Sequence, residues 1–290
     1  MRLTLNAQLA EAQRAGSRLP PLLVAAERVA ATVAQGVHGR RRIGVGDSFW
    51  QYRPFVEGDS ASRIDWRRSA RSDRTYVRDM EWEAAQTVCV WHDTSPSMDW
   101  RSSAALPLKR DRAALLLLAL SSLLFRAGEL VRAIGVPRVF SGRQGLAPLA
   151  MALPEAGTGL PAAAGVPRYS RAVLIGDFFE PMDDIQAGLS HFAELPARVH
   201  FLQVLDPAEM TLPYEGRVRF LGLEQDGTAV IPRVPAIRDD YAAALRARMD
   251  ALRGLAARFG GTLGLHTTDQ PPETALLALY QALDASGERR

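Results

Sequence analysis

Asp93-Thr94-Ser95-Pro96-Ser97 sets one carboxylate and two hydroxyls within five residues, directly after the apolar run Val88-Cys89-Val90-Trp91. Hard oxygen donors of mixed charge suit a divalent cation such as Mg²⁺, which takes six oxygens in a near-octahedral array. The same residue types favour turns and helix caps, so the stretch alone reads first as a turn with Asp93 capping the next helix. A second acid shifts that balance. Ala172-Val173-Leu174-Ile175-Gly176-Asp177 is another apolar run that ends in a carboxylate. In an open parallel sheet, ligands bind beyond the carboxyl ends of the strands, where the strand order reverses. If the two runs are neighbouring strands, Asp93, Ser95, Ser97 and Asp177 share one crevice and form a Mg²⁺ site, with water in the remaining positions.

The elements that would hold these residues alternate from Gln86 onward. A strand at 86–92 precedes a long helix at about 107–127, which opens after Pro107 and stops at Gly128. Short strands are expected at 131–135 and 137–140, a helix at 144–153, and a loop rich in Gly, Pro and Ala at 154–168. A strand at 171–177, a helix at about 182–195 and a strand at 198–205 complete a further unit. Residues 217–231 alternate around Asp226-Gly227, the strongest hairpin signal in the chain. A helix at about 236–259, a strand at 262–266 and a closing helix at 271–285 come after it. Strands alternating with helices predict an α/β fold with a mostly parallel sheet covered on both faces. Ahead of this domain, at 86–290, lie an N-terminal helical segment at 1–35 and a small β-rich region at 36–85.

Composition narrows the class. Hydrophobic residues at 47% and charged residues at 23% are those of a globular protein. A single cysteine, Cys89, sits inside an apolar strand, which excludes a disulfide framework and a cysteine-based metal site and fits a reducing compartment. The apolar run at 113–125 is too short to span a bilayer and is flanked by Arg112 and Arg126, so it reads as a core helix. No secretory leader is readable, and the expectation is a soluble cytoplasmic protein without a membrane span.

Between His38 and Arg78 there are ten arginines against five acids. Interleaved acids favour internal ion pairing, with Arg63, Asp65, Arg67 and Arg71 tying this region to the main domain around a buried Trp66. Nucleic-acid binding through the same basic and aromatic residues is the competing reading. An enzymatic reading needs a base beside a nucleophile. His92 adjoins Asp93, but neighbours in a strand point to opposite faces. No Gly-x-Ser-x-Gly elbow or Walker-type loop exists, and the only lysine is Lys109, at the start of the long helix. Mg²⁺-dependent phosphoester hydrolysis remains as a lesser alternative. Asp206 and the stretch His266-Thr267-Thr268-Asp269 also end strands, and read as helix caps.

Asp93-x-Ser95-x-Ser97 with strand-end Asp177 resembles the metal-ion-dependent adhesion site of von Willebrand factor A domains. The preceding segment resembles the signature of the domain-of-unknown-function 58 family: Arg53-Pro54-Phe55-Val56-Glu57-Gly58-Asp59, Arg63-Ile64-Asp65-Trp66, Ser69-Ala70-Arg71, Val77-Arg78 and Glu81-x-Glu83. The similarity continues through Asp206-Pro207-Ala208-Glu209, Pro213-Tyr214-x-Gly216 and His266-Thr267-Thr268-Asp269, covering residues 36–285. The resemblance implies a Rossmann-like A-type domain and adds a threonine ligand, for which Thr158 is the one threonine in the expected interval. It further implies that the site performs no chemistry. A carboxylate of a partner protein would complete the coordination of Mg²⁺ or another divalent cation. Members of the family are associated with MoxR-type AAA+ ATPases, so an adaptor or co-chaperone working with such an ATPase is the functional expectation.

Overall fold

Strand β3, Thr87–His92, alternates its side chains between two apolar cores: Val88 and Val90 enter one, Cys89 and Trp91 the other. This two-sided burial fits the central strand of a computed structural model that describes residues 20–35, 49–56, 64–72, 74–80, 86–153, 160, 166–195, 197–223 and 227–285. Beside it run β4 (Leu130–Ala133) and, on its other edge, β6 (Arg171–Gly176). β7 (Arg198–Leu205) and β10 (Leu263–Thr267) extend the sheet past β6, and the short β5 (Val139–Phe140) closes the opposite edge. The order is β10-β7-β6-β3-β4-β5, all parallel except β5 against β4. After β3 the chain moves outward to β4 and β5, then returns to the other side of β3 with β6. The strand order therefore reverses between β3 and β6, where ligands bind in open α/β sheets.

Helices cover both faces. On one side lie α1 (residues 20–35), α3 (Lys109–Arg126), α4 (Leu146–Ala152) and α9 (Pro272–Ala285). On the other are α5 (Met182–Gly188), α6 (Ser190–Ala193) and α8 (Arg238–Arg258). α3 is buried along most of its length because Leu116, Leu117, Leu120 and Leu124 face the sheet and the neighbouring helices together. It ends where Gly128 takes a positive φ of 82° and its N–H bonds the Phe125 carbonyl, a left-handed stop that a side chain would resist. No helix among the described residues is long and apolar enough to cross a membrane.

The N-terminal helix is part of the main core. Ala26, Val29, Ala30 and Val33 of α1 pack into it, and Glu27 accepts hydrogen bonds from Ser122 and Arg126 of α3. In the segment expected to be β-rich, β1 (Phe49–Pro54) and β2 (Tyr76–Met80) pair antiparallel, with the short helix α2 (Trp66–Ser69) between them. Asp65 is spent on the N-cap of α2, accepting the Arg68 N–H at 3.0 Å. Trp66, expected inside, is 67% exposed, and Arg67 and Arg71 are exposed with it. A four-residue helix has too little apolar area to bury a tryptophan against the ribbon. Arg63 and Thr158 lie outside the described residues. The expected hairpin is present as β8 (Val218–Leu221) against β9 (Thr228–Ile231). The helix expected at 182–195 is divided at Leu189 into α5 and α6.

Candidate functional site

Because β3 and β6 are hydrogen-bonded neighbours, Asp93 and Asp177 emerge side by side at the carboxyl edge of the sheet. The Asp93 N–H still bonds the Ile175 carbonyl at 2.8 Å, so the strand pairing runs into the site itself. Gly176 permits this closeness. A Cβ there would lie 2.9 Å from the Cβ of Asp93, nearer than side chains tolerate. Asp93 is fully buried, and its Oδ1 accepts the Ser95 N–H at 2.8 Å, folding the chain back in an Asx turn. Pro96 then starts a single 3₁₀ turn, Pro96–Met98, anchored by buried Met98.

That turn aims two half-exposed hydroxyls at one point. Ser97 Oγ donates to Asp177 Oδ2 at 2.7 Å, and Ser95 Oγ lies 3.0 Å from Ser97 Oγ. With the Ser97 proton given to Asp177, Ser95 is the donor of the pair, and lone pairs of both serines stay open to a ligand. Their separation matches an edge of a Mg²⁺ octahedron, where adjacent oxygens stand about 2.9 Å apart. Ser95 and Ser97, with the carboxylates of Asp93 and Asp177 behind them, therefore fit a hard divalent cation. Among the described residues no three His, Cys, Asp or Glu side chains converge as a metal cluster, so such a cation would rest largely on hydroxyl oxygen and water.

Behind the serines lies a group that motif reasoning passed over. The Lys109 side chain is 1% exposed, and its Nζ donates to Asp177 Oδ2 at 2.7 Å and to Glu209 Oε1 at 2.6 Å. Burial works against this charge, yet the attraction and hydrogen bonds of Asp177 and Glu209 outweigh it and hold Lys109 above the ordinary lysine range. Glu209 belongs to α7 (Pro207–Thr211), where Asp206 and Glu209 form a reciprocal capping box. Asp206 also accepts the Ser102 N–H at 2.9 Å, which ties the loop after the serines to the end of β7.

The loop after β6 is held from α8. Arg248 donates to the carbonyls of Phe178 and Glu180, and Phe178 sits at φ 53°, a left-handed position that side chains adopt at a cost. The Gln203 amide donates to the Asp177 carbonyl at 2.8 Å. Phe179, next along, is 36% exposed and caps Lys109, its ring centroid 5.5 Å from Nζ.

Among the described residues the side-chain base bonded to a serine hydroxyl is Asp177, on Ser97, and its accepting oxygen is already held by Lys109. Lys109 is charged and cannot take a proton. His92 is buried with Nδ1 3.2 Å from the Asp93 carbonyl oxygen, and burial lowers its pKa. His200 bonds Thr262, and His266 bonds Arg112. Asp206 and Thr268 lie at the same sheet edge: Asp206 acts as a cap, as expected, while the Thr268 carbonyl accepts from Arg112.

The family model described as "Protein of unknown function DUF58" matches residues 51–251. The uncharacterized proteins Rv1480 of Mycobacterium tuberculosis (strain ATCC 25618 / H37Rv) and Mb1516 of Mycobacterium bovis are each 27% identical over 246 residues, 77% of this chain and 76% of theirs. Among solved structures, the conserved hypothetical protein BatB from Bacteroides thetaiotaomicron is 17% identical with a TM-score of 0.41, covering 70% of this chain and 100% of that one. An aerotolerance-related membrane protein from Bacteroides fragilis is 16% identical with a TM-score of 0.38, covering 69% and 100%. Likenesses this distant carry no argument about the present chain.

Proposed function

The chain belongs to the DUF58 family, and from that premise we propose that it is a non-enzymatic docking module on a von Willebrand factor A-type, Rossmann-like frame. The observation that supports this most is the Ser95–Ser97 hydroxyl pair at 3.0 Å, half-exposed at the reversal point of the sheet with Asp177 behind it. A bound divalent cation would supply an open coordination position for a carboxylate of a partner protein. The chain's own part is to orient hydroxyl oxygens and keep their protons turned inward. Asp93 shapes the turn, Asp177 accepts the Ser97 hydroxyl's hydrogen bond, and Arg248 fixes the loop that carries Asp177. The groups bonded to the serine hydroxyls are each other and a carboxylate already held by Lys109, so docking suits the geometry better than hydrolysis.

In this reading the protein is an adaptor or co-chaperone, and the partner proposed from the sequence resemblance is a MoxR-type AAA+ ATPase. The test is capture of such an ATPase by the full chain in Mg²⁺, in EDTA, and by Asp93→Ala. Capture that requires both Mg²⁺ and Asp93 supports the module. Equal recovery under all three conditions contradicts it. A second reading has one observation in its favour: Trp66 stands 67% exposed beside exposed Arg67, Arg68 and Arg71, a surface on which bases could stack. Steep loss of RNA or DNA binding with rising salt would support that reading. No binding at physiological salt would end it.

A further inference from the structure

The inner half of the site holds more charge than a metal cradle requires. Asp93 and Asp177 are buried, Glu209 is 17% exposed, and against these three carboxylates stands Lys109, the one lysine of the chain. We propose that Lys109 is the positioning residue that makes this a docking site and not a metal store: its fixed charge neutralises Asp177 from behind and leaves a bound divalent cation in need of an outside anion. This rests on the docking reading above and goes beyond it in naming what sets the balance between metal affinity and partner affinity.

Asp177 Oδ2 accepts both the Ser97 hydroxyl and the Lys109 ammonium, each at 2.7 Å. An oxygen with two donors, one of them charged, is a poor direct anionic ligand and a good acceptor for orienting Ser97. Asp177 therefore acts through Ser97. The charge balance points the same way. A divalent cation and Lys109 together would cancel the three carboxylates, and the half-exposed groups beside such a cation on the solvent side are the neutral hydroxyls of Ser95 and Ser97. A carboxylate arriving from solvent meets net positive charge there. With Lys109 neutral, the protein's own acids would exceed the cation, holding it more tightly and repelling an acidic ligand. The ammonium cannot drift out of this role. It is enclosed at 1% exposure, bridges the start of α3 to the loop after β6 and to α7, and lies under the Phe179 ring. Glu209 is itself fixed, its Oε2 taking the Asp206 N–H at 2.8 Å.

The experiment is a Mn²⁺ titration of the full chain followed by electron paramagnetic resonance of free Mn²⁺, with and without acetate as a minimal carboxylate. Wild type, Lys109→Met, Glu209→Gln and Asp93→Ala are compared. Lys109→Met is expected to bind Mn²⁺ at least about ten-fold more tightly, since it removes the unit positive charge that holds Asp177. Acetate should strengthen Mn²⁺ binding to wild type and lose that effect in Lys109→Met. Glu209→Gln should show the opposite pattern, with weaker Mn²⁺ binding and a retained acetate effect, and it keeps the inference testable if Lys109→Met fails to fold. Unchanged or weaker Mn²⁺ binding by a folded Lys109→Met, or tighter binding by Glu209→Gln, overturns the inference while leaving the docking reading in place. If neither wild type nor Asp93→Ala binds Mn²⁺, the docking reading fails. The inference rests on that reading and falls with it, whether or not Lys109→Met alone binds Mn²⁺.

Discussion

A methyl group on Gly176 would stand 2.9 Å from the Cβ of Asp93. Two adjacent strands approach so closely at their carboxyl ends that the residue before Asp177 has no room for a side chain. Gly176→Ala is therefore expected to destabilise the fold by about 1–3 kcal/mol, the ordinary cost of overpacking a core, and to weaken cation binding by moving Asp93. Urea denaturation of the variant checks the first effect, and a Mg²⁺ titration the second.

Asp206 holds two backbone donors, Ala208 N–H and Ser102 N–H, at 2.8 and 2.9 Å. Asp206→Ala removes the capping box of α7 and frees the loop beyond the serines. A loss of about 2 kcal/mol is expected, from the cap together with a buried donor left unsatisfied. Because Glu209 sits in the same box, the variant should also loosen Lys109 and shift the divalent-cation affinity. A stability loss with unchanged cation affinity would show that α7 has no influence on the site.

Among the groups that set the pH dependence of stability are two buried histidines besides His92, which burial lowers in the same direction. Burial, aided by Arg171 and Arg198, lowers His200 to about 4, and burial with Arg112 lowers His266 to about 4. A depressed histidine is neutral in the folded chain while the unfolded chain takes up a proton near pH 6.5, so the unfolded state binds more protons between those values. Stability is then fully present above about pH 6.5 and falls as pH drops toward 4, by about 3 kcal/mol for each histidine. Urea midpoints measured across this window should show the decline, and His200→Gln should make it shallower. A flat profile would contradict the assignment.

Trp66 discriminates between the two readings. At 67% exposure, its replacement by alanine is expected to change stability by no more than about 0.5 kcal/mol. It should also leave Mg²⁺ affinity unchanged. A loss of nucleic-acid binding in Trp66→Ala, with the fold intact, would move weight to the second reading.

Much of the site was legible because its signals are local. An apolar run that ends in Asp, with hydroxyls and proline after it, encodes both the strand and the turn, and Asp93, Ser95, Ser97 and Asp177 do converge. Their convergence depended on β3 and β6 being neighbours, which alternation of elements suggests but only the sheet order decides. Lys109 was not legible in the same way. A lysine in the first turn of a helix ordinarily reaches solvent, and its burial comes from where α7 places Glu209, a hundred residues away in sequence. One signal was present: a lone lysine in a chain otherwise furnished with arginine, directly after the apolar pair Pro107-Leu108. Trp66 failed in the other direction. Aromatic character suggested burial, but among the described residues the segment around it forms a two-strand ribbon and one short helix, with little core to offer.

If Asp93, Ser95 and Ser97 hold a divalent cation for docking, the cation must bind the isolated chain and must need Asp93. Isothermal titration of Mg²⁺ into wild type and into Asp93→Ala, with the melting temperature of each as a folding control, reads both requirements at once. A single saturable site in wild type that disappears in a folded Asp93→Ala is the predicted result. Identical titrations for the two proteins would contradict it.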